Sequence, residues 1–169
     1  SATDANGADV LTYSWEEMDQ TTTGGAYNQA QVANLDFPLF RPFSPLLSPS
    51  RTFPQLTDII NNTTTIGERM ATVARVLDFR LTVRDNRAGG GGVTYNDVTR
   101  KVTTVAAAGP FLVTVPNTAV TWTGGSTQAV TWNVAGTTAA PVSCANVMIS
   151  LSTDGGNTFP IVLLASTAN

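Results

Sequence analysis

Apolar and polar positions alternate most clearly over 79–115, FRLTVRDNRAGGGGVTYNDVTRKVTTVAAAGPFLVTV, where Leu81 and Val83 interleave with Arg80, Thr82 and Arg84. Val98 and Val102 resume the pattern beyond the glycines at 89–92. Period two predicts half-buried strands, and the glycine run predicts the turn between them. The small-residue run AAAGP at 106–110 then reads as a short linker that hands the chain to a second unit with a restricted mutual angle.

Upstream, 1–20 reads as a turn at DANG followed by a strand in which Leu11, Tyr13 and Trp15 face the core. From about 21 to 75 the periodicity fades, and Pro38, Pro42, Pro45, Pro49 and Pro54 interrupt regular structure. The same stretch carries Phe37, Leu39, Phe40, Phe43, Leu46, Leu47 and Phe53, so it is expected to pack as an ordered, irregular cover. Within it, 53–62 predicts one short helix, and GERMATVARVL at 67–77 reads as helix or strand, a turn at 65–70 followed by a strand from Val73 being the favoured reading. Downstream, VTVPN, AVTWTGG, AVTWNVAGT, ANVMISLSTDGG and FPIVLLAS predict evenly spaced strands. Trp122 and Trp132, in matching VTW contexts around GGSTQ, predict a hairpin with both indoles in the core.

The expected fold is all-β: two tandem antiparallel β-sandwiches, 1–107 with its Pro-rich insertion at about 21–75, then 108–169. A strand is expected ahead of SATDANG and a closing strand after ASTAN, so each sandwich reads as lacking an edge.

Composition narrows the class. Of 169 residues 42% are hydrophobic and only 12% charged, the balance of extracellular all-β modules. Every Lys and Arg lies at or before Lys101, and beyond it the only ionisable side chains are Cys144 and Asp154. A neutral β surface has little defence against edge pairing, so association with a partner is expected. A net charge of −3 without a basic cluster argues against nucleic acid, and no apolar run is long enough to span a membrane. Cys144 reads as a half-buried structural thiol at the start of a strand. The chain reads as a mature or excised piece of a secreted or cell-surface protein. The sequons at Asn61 and Asn62 would matter only in a eukaryotic secretory pathway.

LTYSWEEMD, SPSRTFPQLTDIINN, RLTVRDNRAGGGG and VTWNVAGTTAAPVSCANVMISLSTDGGNTFPIVLLA together resemble the non-catalytic region downstream of reprolysin-like zinc metallopeptidases secreted by Bacteroidetes-type bacteria. The resemblance implies a PKD or cadherin-like sandwich followed by an immunoglobulin-like one, in a secreted multidomain parent with its HExxH module elsewhere. This chain has no histidine and cannot supply that module's ligands.

Candidate sites are few. Asp4, Asn6 and Asp9, with Asp85 and Asn86 at the same end of the sandwich, offer hard oxygen ligands that suit Ca²⁺; an ordinary Asx turn explains D-x-N-G equally well. Ser152, Asp154, Gly156, Thr158 and Phe159 fit the Asp-box pattern S-x-D-x-G-x-T-F, whose polar groups hold a hairpin while its aromatic ring docks in the core. Glu16 and Glu17 point to opposite faces of a strand and cannot share a reacting bond, so one is expected to be solvated and one salt-bridged. The glycines at 89–92 lack the G-K-[ST] of a phosphate loop. Trp122, Trp132 and Tyr95 read as core residues or as a carbohydrate platform. No nucleophile, base and stabiliser assemble into a catalytic set. The expectation is therefore a non-catalytic extracellular module without a cofactor other than a candidate Ca²⁺. Its partner is expected to be protein, foremost copies of itself joined by strand complementation; the alternative is a monomeric accessory module that binds protein or polysaccharide.

Overall fold

The computed structural model describes residues 2–5, 7, 9–19, 37–96 and 100–169; Asn6, Val98 and the TTTGGAYNQ loop lie outside them. The fold is nearly all-β with antiparallel sheets. The chain divides into two compact units, Ser1–Thr104 and Val105–Asn169, three residues ahead of the expected boundary.

In the first unit β2 (Val76–Arg84) is the central strand. On one side it pairs with β1 (Thr12–Glu17), Trp15 opposite Leu81 and Tyr13 opposite Val83. On the other side lie β3 (Val93–Tyr95) and β4 (Arg100–Thr103). Thr82 faces Tyr95 and Phe79 faces Arg100, so three steps along β2 match five along its partner. Just past β3, Asn96 binds Leu81 twice, its backbone N–H donating to Leu81 O at 3.3 Å and its Oδ1 accepting from Leu81 N–H at 2.6 Å.

Among the described residues no second sheet forms in this unit; the irregular segment 37–75 covers the first. Leu39, Phe40, Leu77 and Phe79 are buried together, with Trp15, Phe53 and Ala71 packed against them. The Phe53 ring lies 4.7 Å from that of Phe79 and 5.0 Å from that of Phe40. Leu46 and Leu47, expected in this layer, are exposed. The backbone of Leu46 instead pairs with Tyr13 as an isolated bridge on the outer side of β1, with bonds of 2.8 and 2.9 Å. The helix α1 (Leu56–Asn61) ends at Asn62, which takes the left-handed conformation at φ 51°. Strand β2 begins at Val76, because the Arg75 N–H is taken by the Thr104 hydroxyl at 2.9 Å.

The second unit contains two separate two-stranded sheets. One joins β5 (Leu112–Val115) to β6 (Thr131–Asn133), the other β7 (Asn146–Leu151) to β8 (Ile161–Ala168). The register moves from Val147 opposite Thr167 to Ile149 opposite Leu164 and then Ser150 opposite Val162, so β8 carries both extra residues and β7 runs straight. The expected Trp122–Trp132 hairpin is not formed. Only the second VTW copy finds a backbone partner, in β5, and the Trp132 indole N–H donates to Asn169 Oδ1 at 3.0 Å. Trp122 lies outside any strand and is 44% exposed. No described residue of this unit is buried.

Candidate functional site

Strands of four, three, six and eight residues cannot enclose a core as two isolated ribbons. Between them a groove of about 300 Å³ is lined by Phe111, Val113, Trp122, Trp132, Met148 and Leu163, among others. Ser150 also lines it, and its buried Oγ has no hydrogen-bond partner. An extended apolar segment carrying an occasional polar group is the ligand chemistry this arrangement suits.

At the β7–β8 turn the Asp-box residues come together. Asp154 Oδ1 accepts from the Ser152 hydroxyl at 2.7 Å and the Thr158 N–H at 2.9 Å, and Oδ2 accepts from the Thr158 hydroxyl at 2.7 Å. Ser152 Oγ in turn accepts from the Gly156 N–H at 2.8 Å. The Thr158 amide and the two hydroxyls hold the Asp154 carboxyl down to about 2. The aromatic member behaves otherwise than expected: Phe159 is 57% exposed, because the unit has no buried core for its ring to enter.

In the first unit Asp4, Asp9 and Asp85 converge, one carboxylate oxygen from each lying within 4.8 Å of the others. Asp85 is held by the glycine turn, its two oxygens each 2.8 Å from the Gly92 N–H, and these donors lower its pKa. Asp4 Oδ2 accepts from the Gly7 N–H at 3.0 Å. Asp9 Oδ2 is sheltered and has no hydrogen-bond partner. Asn86 turns its amide nitrogen toward β1, donating to Val10 O at 2.8 Å and Thr12 Oγ1 at 3.0 Å, and so acts as a strand tether. Their carboxylate oxygens are of the hard type that Ca²⁺ takes.

Two buried clusters of ionisable side chains were not legible in the sequence. Glu16 pairs with Arg80 at 3.1 Å near the surface, but Glu17, on the other face, is fully buried rather than solvated. Its Oε2 accepts from the N–H groups of Leu39 at 2.6 Å and Phe40 at 2.7 Å, pinning the cover to β1. Burial and the adjacent Asp19 carboxylate push the Glu17 carboxyl up to about 8. Arg75 donates to Asp19 at 2.7 Å and to Phe37 O at 2.8 Å. Arg51 pairs with the buried Glu68 and lies 4.3 Å from each of the Phe43 and Phe53 rings. The period-two pattern signals only which face a residue takes; nothing in it marks a Glu on the inner face as buried with backbone donors.

Tyr95 belongs to the first unit, where the Arg80 guanidinium sits 5.3 Å from its ring centre. Cys144 is half-buried just ahead of β7, its Sγ 3.4 Å from Asn146 O. No helix of the described residues is long and apolar enough to cross a membrane. A scan against protein families, a search of curated proteins and a search of solved structures each found no match to this chain.

Proposed function

We propose that this chain is a non-catalytic extracellular association module that joins copies of itself by β-strand addition. The observation that carries this reading is the second unit's combination of uncovered strand edges and exposed apolar side chains. Met148, Leu151, Ile161, Val162, Leu163 and Leu164 are all exposed on β7 and β8. Strand addition satisfies the free backbone groups of an edge and buries alternate side chains in one step. The near absence of charge beyond Lys101 supports it, since Asp154 is the one charged side chain there to repel a second copy.

The alternative is a monomeric accessory module of a secreted metallopeptidase, with the same groove receiving a segment of another protein or a polysaccharide. Light scattering and electron microscopy of the chain at neutral pH separate the two. Dimers, oligomers or fibres support self-association; a monodisperse particle of 17.7 kDa sinks it and leaves the accessory module. A second reading concerns Asp4, Asp9 and Asp85, which we assign to Ca²⁺ as a structural ion. The sheltered, unpartnered Asp9 Oδ2 favours it over a pair of Asx turns, which would need only Asp4 and Asp85.

A further inference from the structure

We propose that the joint between copies is the outer edge of β7, paired antiparallel with β7 of a second copy about a two-fold axis. This rests on the self-association reading above and names its edge and its symmetry.

Proteins protect strand edges by covering them, shortening them, charging them or bulging them. The other strands at sheet edges each carry one of these protections. On the outer edge of β1, Leu46 bridges Tyr13 and the Arg51 side chain takes the Trp15 carbonyl. Strands β3, β5 and β6 have three or four residues, and β4 carries Arg100 and Lys101. Strand β8 is long, but both extra residues of the β7–β8 ladder lie in it, and bulges turn an edge away from a flat partner.

Strand β7 has none of these protections. Asn146–Leu151 runs six residues without a bulge, proline, glycine or ionisable side chain, and among the described residues it pairs only with β8. It also borders the groove, and the Ser150 Oγ that lacks a partner belongs to it.

The occupant that matches is a second copy. The edge is uncharged over its whole length, so a charged partner strand would lose solvation without gaining an ion pair. An identical neutral strand has no such loss. Antiparallel pairing of a strand with itself is self-complementary, residue i facing j and j facing i, which closes the assembly as a dimer instead of extending it as a fibre. The product is a four-stranded sheet in the order β8-β7-β7-β8, above the three strands needed for independent stability. Backbone pairing alone falls short of the roughly 800 Å² per partner of a stable interface. Exposed Met148, Leu151, Phe111 and Trp122, on or near that edge, are the apolar surface available to make up the difference.

A two-fold axis sets one residue opposite its own copy, and each step away separates identical positions by two residues, about 7 Å. Single cysteines at each position of 146–151, in a Cys144→Ser background, should therefore form a disulfide dimer at one central position, Met148 or Ile149, with sharp loss on either side. Met148→Lys should abolish the dimer at concentrations where the parent chain is fully dimeric. Val120→Lys, in the second unit but outside any strand and 53% exposed, should leave it unchanged and serves as the folding control. Association that survives Met148→Lys, or cross-linking spread evenly along β7, overturns this joint while self-association stands. A parent chain that is monomeric overturns both.

Discussion

Arg51 pairs with the carboxylate of Glu68 while its guanidinium lies between the rings of Phe43 and Phe53, each 4.3 Å from its central carbon. The Glu68 side chain is fully buried and that of Arg51 nearly so. Glu68 also accepts from the Gln55 N–H at 2.8 Å, and Arg51 donates to Trp15 O at 3.1 Å. One ion pair thus ties β1 and two stretches of the cover together. Arg51→Ala should destabilise the first unit by about 3–5 kcal/mol, the usual cost of stranding one buried charge. Replacing both partners by apolar residues should recover much of that loss. Urea denaturation of the two variants measures it, and equal losses in both would mean the charge is not the source.

Glu17 predicts a pH dependence. Its carboxyl rises from the ordinary 4.5 to about 8 in the folded chain, so the folded state holds a proton that the unfolded state releases. The contribution is present in full below about 4.5 and is lost as pH rises toward 8. Thermal stability of the first unit should fall between pH 5 and pH 8, and Glu17→Gln should flatten that slope, because an amide oxygen still accepts from Leu39 and Phe40. An unchanged slope in the variant would assign the pH dependence to another group.

Asp154 acts in the opposite direction. Its carboxyl is held at about 2, so its contribution is present above the ordinary 3.8 and is lost only as pH falls through 2. It therefore does not confound the window assigned to Glu17. Asp154→Asn should raise hydrogen exchange at the Thr158 amide, which donates directly to the carboxylate, more than at the amides of β6. Equal exchange throughout would remove the box from the support of the β7–β8 turn.

If Asp4, Asp9 and Asp85 hold Ca²⁺, millimolar Ca²⁺ should raise the melting temperature of the parent chain but not that of Asp9→Asn. No rise in either would leave Asp4 and Asp85 as caps of the turns at Gly7 and Gly92, roles their hydrogen bonds already account for.

Leu39 is the most deeply buried apolar residue of the cover, at 1% exposure beside Phe40, Leu77 and Phe79. Leu39→Ala should cost about 2–5 kcal/mol, the range for truncating a packed core leucine. Val115→Ala in the second unit, where the side chain is 45% exposed, should cost well under 1 kcal/mol in the monomer. Comparable losses would show that the second unit holds a core of its own.

What the sequence determined by itself is local. Alternation in LTYSWEE and FRLTVR set two strands and the face each residue takes, glycine and asparagine set the turns, and the spacing of Ser152, Asp154 and Thr158 set a hydrogen-bonded loop that needs only near neighbours. The cover could also be anticipated, since Leu39, Phe40 and Phe53 had to leave water somewhere. What tertiary structure decided was partnership. Two similar VTW segments compete for one neighbour, and only the one at Trp132 pairs with β5. Glu17 and Glu68 lie far in sequence from some of the groups that make their burial tolerable, so pattern alone could not place them inside. Phe159 follows its motif yet stays exposed, because docking a ring requires a core, and a core is the joint property of many segments.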